Sequence, residues 1–304
     1  MRLVSFTKNK HDLTVSKKFK YSEFVEPGGL RFNIGTGVLE YAAFDMHNHE
    51  FAELVIISGG SAIHVTAQEE YVLSTGDVFV INPNVSHGFR EIKKLKLCNI
   101  MYDPSFFIPA QTLKKLAGYH ALFVLGPRHH AKGHFENRLR LSPRQMAEVI
   151  PQTERIGMEY REKAPGYESA IQGYFITLVT FLARAYSREP LQTANSVNRL
   201  SKAVSFLEEH SHERLTLERL AREAHLSVNQ FLRLFRQNFQ TSPIDYLIRL
   251  RVRKACDLMR QTDRSITQIA FDVGFSDSNY FYRQFRKIMG ASARDFRKTA
   301  EDLG

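Results

Sequence analysis

The segment Ser227-Val-Asn-Gln-Phe-Leu-Arg-Leu-Phe-Arg236 recurs fifty residues later as Asp277-Ser-Asn-Tyr-Phe-Tyr-Arg-Gln-Phe-Arg286. Asn229 falls on Asn279, Phe231 on Phe281, Arg233 on Arg283, Phe235 on Phe285, Arg236 on Arg286 and, farther on, Ser242 on Ser292. Each copy follows a short amphipathic stretch, Leu217–Ala224 or Ile266–Val273, and a tight turn. The second turn, Gly274-Phe275-Ser276, is one residue longer than the first, His225-Leu226. A short helix, a turn and a second helix make a helix-turn-helix, so the last third of the chain is expected to be all-α with two such motifs in tandem.

Helical periodicity assigns the faces. Phe231, Leu234 and Phe235, and likewise Phe281, Phe285 and Ile288, recur at core spacing. The opposite face carries Asn229, Leu232, Arg233 and Arg236 in the first copy, and Ser278, Asn279, Tyr282, Arg283 and Arg286 in the second. Asn pairs bidentately with adenine and Arg with guanine in the major groove, while other basic groups meet phosphates. The same Asn–Arg spacing behind a turn, twice, argues against a merely solvated surface. Between the copies, Ser242-Pro243 starts a helix to about Arg260. At ~1.5 Å per residue it can hold the motifs about one DNA turn, ~34 Å, apart. Charge agrees with a polyanionic partner: the chain has 42 Lys+Arg against 32 Asp+Glu. Residues 196–304 hold 19 of the basic and 13 of the acidic groups, an excess about three times denser than in the rest of the chain.

Residues 196–299 resemble the tandem helix-turn-helix domain of AraC/XylS-type transcriptional regulators. The matching stretches are Leu220-Ala221…Ser227…Phe231-x-Arg233-x-Phe235, Tyr246-Leu247…Arg251…Ala255…Leu258, and Ile269-Ala270…Gly274-Phe275…Tyr280-Phe281…Phe285. Gln240 stands where that family usually has glycine and Ala293 where it usually has proline. The resemblance implies double-stranded promoter DNA as a partner, contact with RNA polymerase, and a homodimer formed through helices that precede the domain.

The N-terminal part reads differently. From about Arg31 to Asp103, apolar residues alternate or form short β-branched runs, with candidate strands at Val38–Asp45, Phe51–Ser58, Ser61–Thr66, Glu70–Leu73, Asp77–Asn82, Ser86–Ile92 and Lys96–Asp103. Gly59-Gly60, Gly76-Asp77 and Asn82-Pro83-Asn84 supply turns. Many short, evenly spaced strands indicate an antiparallel barrel or jelly roll. Ser142-Pro143 then caps a helix to about Lys163, with Pro151 expected to kink it, and a second helix spans Glu168–Ser187. Arg188 to Asn198 reads as a linker. The expected organisation is therefore a barrel over 1–135, a helical connector with the dimerisation helices over 136–190, and the tandem domain over 191–304.

Nine of twelve histidines lie before residue 135. His47-Asn-His49, Glu53 and Gly60 resemble the first cupin motif, and Gly76-Asp77…Pro83…His87 the second, which implies a cupin barrel. Tyr41 in place of a leading glycine, and His87 one residue early, depart from it. Turned inward, His47, His49, Glu53 and His87 offer three imidazoles and a carboxylate. Three readings stay open: a site for Zn²⁺, Ni²⁺ or Fe²⁺, polar anchors for a small effector without metal, or paired structural histidines. Arg31 could add a hydrogen-bonding fork to an effector. Phe32, Phe44, Phe51, Phe79 and Tyr102 could stack on a sugar. The sensor domains of the regulators named above are cupin barrels that bind small molecules, often sugars. His129-His130 and His134 read as a solvated loop, and Cys98 and Cys256 as ordinary buried residues.

No run nears the ~18 apolar residues of a membrane span, the first residues offer no apolar signal-peptide core, and two distant cysteines suit a reducing compartment. A soluble cytoplasmic protein is expected. The leading function is a sequence-specific, effector-responsive transcriptional regulator, an activator by resemblance and not an enzyme. The alternatives are a metal-dependent cupin enzyme, or a direct metal sensor, fused to a DNA-binding module.

Overall fold

The computed structural model describes residues 17–25, 29–39, 42–67, 69–103, 112–127, 138–188 and 196–301. The chain divides into two compact units, Met1–Val197 and Asn198–Gly304. Most of the expected linker, the histidine loop at 129–134 and Tyr41 lie outside the described residues.

The first unit is built on β1 (Lys17–Phe19), β2 (Phe32–Leu39), β3 (Ala43–His49), β4 (Ala52–Thr66), β5 (Glu70–Ser74), β6 (Asp77–Ile81), β7 (His87–Tyr102) and β8 (Leu139–Arg140). The strands differ from the expected ones in a physically instructive way. The Val38–Asp45 candidate is the end of β2 and the start of β3. The pairs expected at 51–58 with 61–66, and at 86–92 with 96–103, are single long strands, β4 and β7. Gly59-Gly60 is a bulge and not a hairpin: the β4–β7 register slips between Ile57 and Ile63 while pairing continues on both sides. Gly60 has φ +72°, and a Cβ there would lie 2.2 Å from the Lys94 carbonyl oxygen, so only glycine fits. Opposite it, Glu91 and Lys94 also adopt positive φ.

Bending lets β4 and β7 serve both halves of one eight-stranded sheet. Their outer halves, 52–57 and 95–102, pair with each other and with β6 and β2, with β8 beyond β6. Their other halves, 61–66 and 87–93, pair with each other and with β5 and β3, with β1 parallel to β3 beyond. Period-two alternation then sorts the side chains. Val55, Ile57, Ala62, Leu73, Phe79, Ile81, Phe89 and Leu95 form the core inside the barrel. Phe32, Ala52, Leu54, Ile56, Val78, Val80, Cys98, Ile100 and Tyr102 face outward.

That outward face is covered by helices α1 (Pro143–Glu162) and α2 (Tyr167–Arg188), whose Met146, Val149, Ile156, Ile171, Phe175, Leu178 and Leu182 complete the same cluster. Helix α1 starts on a reciprocal cap between Ser142 and Gln145, has Pro143 in its first turn and runs through Pro151. The two helices drawn from sequence as a connector are thus packed on the barrel wall. No helix among the described residues is long and apolar enough to cross a membrane.

The second unit is all-helical: α3 (Ser196–Glu209), α4 (Leu217–Glu223), α5 (Val228–Phe239), α6 (Pro243–Gln261), α7 (Ile266–Asp272), α8 (Ser278–Met289) and α9 (Ala293–Glu301). Side-chain caps start six of them: Thr216, Ser227, Ser242, Ser265, Asp277 and Ser292 each accept from a backbone amide of the first turn. Both motif turns close alike. His225 and Gly274 take left-handed φ, and the amides of Leu226 and Phe275 reach back to Ala221 and Ala270 at 2.9 and 3.0 Å. Helix α6 carries the second motif on Ile248, Val252, Ala255, Cys256 and Met259. Its Arg251 donates to the carbonyls of Ser211 and Glu213 at 2.7 Å each, and Lys254 to that of Glu208 at 2.9 Å, which ties it to the end of α3 and the chain that follows.

Candidate effector site and nucleic-acid interface

The polar residues of the barrel interior gather at one end of the apolar inner core. His47 and His49 share a parity on β3, Glu53 begins the inward row of β4, and His87 opens β7. All four are buried. His49 Nε2 lies 2.9 Å from Glu53 Oε2, and His87 Nε2 lies 3.3 Å from the same oxygen. The ligand atoms of His49, Glu53 and His87 all lie within 4.8 Å of one another. His47 stands beside this trio and not in it, with its ring centroid 4.2 Å from that of His87.

Each imidazole is oriented by a carbonyl two residues away. Nδ1 of His47, His49 and His87 meets Asp45 O at 2.9 Å, Phe51 O at 2.7 Å and Val85 O at 3.2 Å. A carbonyl only accepts, so Nδ1 carries a proton there, and the Nε2 atoms of His49 and His87 face the carboxylate, donating to it when they are protonated as well. This is how metal-ligating histidines are held, and His₂Glu with a third histidine adjacent is a donor set that suits Zn²⁺. Burial works to raise the Glu53 carboxyl, but the neighbouring imidazoles of His49 and His87 more than offset it, and the group stays well below the ordinary carboxylate range. Burial, followed by the neighbouring His87, pushes the His47 imidazole down to about 3, which keeps it neutral.

Two inward groups were not singled out from sequence. His64 on β4 is buried, with ring centroids 5.7 Å from His87, 5.3 Å from Phe79 and 5.2 Å from Phe89. Its signal was available: Ala62, His64 and Thr66 alternate with Ile63 and Val65. Asn99 donates from Nδ2 to Glu53 Oε1.

Other expected site residues are placed elsewhere. The Arg31 guanidinium is exposed and meets Asp103 at 3.0 Å and the Tyr21 ring, because the carboxylate after β7 is its nearest counter-charge. Phe32 and Tyr102 face α1 and α2, where both rings pack on Phe175. Phe44 lies 4.8 Å edge-on to His47 and Phe51 stacks on His49 at 4.5 Å, while Phe79 stays in the inner core.

In the second unit, Phe231, Phe235, Phe281 and Phe285 are fully buried, while Leu234 and Ile288 are half-buried at the edge. Asn229, Arg233 and Arg236 on α5, and Asn279, Arg283 and Arg286 on α8, are exposed. Leu232, Ser278 and Tyr282 are half-buried. Repeated sequence thus becomes a repeated surface, with an amide and two guanidiniums outward on each second helix. Arg249 and Arg253 add exposed positive charge on α6.

A bent β-barrel with a polar interior and a tandem helix-turn-helix define a ligand-binding transcriptional regulator. Residues 39–134 match the AraC-like ligand binding domain, and residues 220–299 match a helix-turn-helix domain. The chain is 31% identical to the HTH-type transcriptional activator RhaS of Escherichia fergusonii over 263 residues, 86% of this chain and 90% of that protein. It is 31% identical to RhaS of Citrobacter koseri over 269 residues, 87% and 91% of the two chains. A solved structure of the DNA-binding domain of AdpA, a global transcriptional factor in complex with a target DNA, is 30% identical, covers 34% of this chain and 95% of that one, and has a TM-score of 0.34. The chain belongs to the AraC/XylS family of transcriptional regulators.

Proposed function

We propose that this regulator is a cytoplasmic activator whose barrel binds a small effector, a sugar or sugar derivative, and does not turn it over. The observation that carries the reading is the pairing of a buried polar cluster inside one unit with two exposed Asn–Arg faces on the other. An effector that binds one arrangement of the units better shifts the population competent for promoter DNA. The second helices α5 and α8 enter two successive major grooves, where Asn229, Arg233, Asn279 and Arg283 meet base edges and Arg236 and Arg286 meet phosphates.

The assembly in this reading is a homodimer through α1 and α2, on which Ile150, Met158 and Ile176 leave apolar side chains exposed. Dimerisation raises the effective concentration of the second pair of motifs at a second half-site. RNA polymerase is the partner at the promoter, as for other activators of the family. The test is a fluorescence titration of promoter DNA with the full chain, with and without candidate sugars. An effector should change the DNA affinity of the native protein and leave that of the His49→Ala variant unmoved. An unchanged response in that variant removes the histidines from sensing.

A second reading is favoured by the three Nδ1–carbonyl bonds and by the Nε2 atoms of His49 and His87, both of which face the Glu53 carboxylate. His49, Glu53 and His87, with His47 adjacent, would hold Zn²⁺, Ni²⁺ or Fe²⁺, and such an ion would supply Lewis acidity or a bridge to an effector oxygen. The chain's own part is to present Nε2, exclude water by burial, and keep Glu53 ionised. If the barrel senses the metal itself, Zn²⁺ alone should change DNA affinity and a chelator should reverse it. If it is an enzyme, the metal-loaded protein should consume one of the candidate sugars.

A further inference from the structure

The inner side of β2 and β7 carries two amides, Asn33 and Asn99, beside the histidine cluster. Odd-numbered residues of β2 face inward, as Leu39 does in the inner core, while Phe32 and Ile34 pack toward the helices. Asn33 and Gly35 therefore stand on the inner side at the edge of the sheet, where Asn33 also reaches Tyr160 near the end of α1, and Gly37 farther along is exposed. The register sets Asn33 beside Met101 and Gly35 beside Asn99, and across β7 it sets Met101 beside Glu53 and Asn99 beside Val55.

Both amides are fixed with the nitrogen engaged. Asn33 Nδ2 donates to the Phe24 carbonyl and to Tyr160 Oη, each at 3.1 Å. Asn99 Nδ2 donates to the Glu53 carboxylate. A carbonyl and a carboxylate only accept, so neither amide can be flipped. This leaves Asn33 Oδ1 and Asn99 Oδ1 buried without a hydrogen-bond partner, and Asn33 as a whole is 7% exposed. A buried acceptor left unpaired is costly, so a donor is called for at both positions. Diagonal neighbours of an antiparallel pair lie ~7–8 Å apart, close enough for the two amides to meet two different hydroxyls of one small molecule.

We propose that Asn33 and Asn99 are a specificity-determining pair of the effector site. Each amide oxygen accepts from a different hydroxyl of a neutral polyol lying along β2 and β7, with Glu53 and the imidazoles on its other flank. This deepens, and rests on, the sugar-effector reading above. The two amides select an uncharged ligand with two separated donors, because a carboxylate or phosphate oxygen would face two acceptor oxygens.

The test is calorimetric titration of the full chain with a library of free aldopentoses, aldohexoses and their single-deoxy derivatives, in both enantiomeric series. The native protein should bind at least one parent sugar and discriminate against two of its deoxy derivatives. Asn33→Ala should weaken the parent roughly 5- to 100-fold and lose discrimination at one hydroxyl only. Asn99→Ala should do the same at another. The proposal is overturned if both alanine variants bind the parent as the native chain does, or weaken all derivatives equally. If sugars bind and only His49→Ala affects them, the sugar reading stands and the amide pair falls. If nothing in the library binds the native chain, both fall.

Discussion

Gln240 and Gly290 close the two recognition helices in the same way: each is left-handed, with φ 55° and 75°, and each donates its amide to the carbonyl four residues back, Arg236 and Arg286, at 2.9 Å. The backbone conformation is a property of the motif. The residue filling it is not, and a side chain in that region costs ~1–2 kcal/mol that glycine avoids.

Gln240→Gly should therefore stabilise the C-terminal unit by about 1 kcal/mol, less the small contribution of the Gln240 Nε2 bond to Gln237 O. Gly290→Gln should destabilise it by a similar amount. Urea unfolding followed on the C-terminal transition measures both, and a midpoint that falls in Gln240→Gly would contradict the account.

Arg233 and Arg283 occupy equivalent exposed positions on α5 and α8. Replacing either by alanine should weaken binding to a selected operator by roughly 1–3 kcal/mol and relax the preference at one base pair. Anisotropy titrations on the operator and on point-substituted duplexes separate the outcomes. Equal loss on every duplex assigns the lost contact to phosphate, and an unchanged affinity removes the arginine from the interface.

Much of this was legible because helices are local. The fifty-residue repeat, the Ser227 and Ser242 caps and the Ser142-Pro143 start all signal within a few residues of where they act. The strands were harder. Gly59-Gly60 reads equally as a hairpin turn or a bulge, and only its pairing with residues 93–96, more than thirty positions on, decides which. The three-residue β1 and two-residue β8 are too short to show periodicity and exist through β3 and β6. The inward histidines followed from motif spacing and strand parity. Arg31 and the outward Phe32 and Tyr102 did not, since nothing in the residues themselves says which face of β2 or β7 the helices cover.

His120 gives the N-terminal unit an acid limit. Its ring is buried, Nε2–H donates to the Lys114 carbonyl at 2.6 Å, and Nδ1 has no partner. Burial pushes the imidazole from 6.5 down to about 4. The unfolded chain then takes up a proton that the folded one refuses, so stability is full above about pH 6.5 and falls as pH drops toward 4, by on the order of 3 kcal/mol at the low end. His120→Gln, which keeps a donor for Lys114 O, should reduce that slope in thermal melts across this window and leave the part due to His47, whose buried imidazole is pushed down to about 3. A slope of the same size in the variant would exclude His120 as its source.

The central claim is that one chain reads DNA with two equivalent helices. Hydroxyl-radical footprinting of the full chain on a selected operator tests it most directly. The account predicts two protected patches per chain on one face of the duplex, ~10 base pairs apart, with Arg233→Ala losing one and Arg283→Ala the other. A single patch, or two variants that lose the same patch, would contradict it.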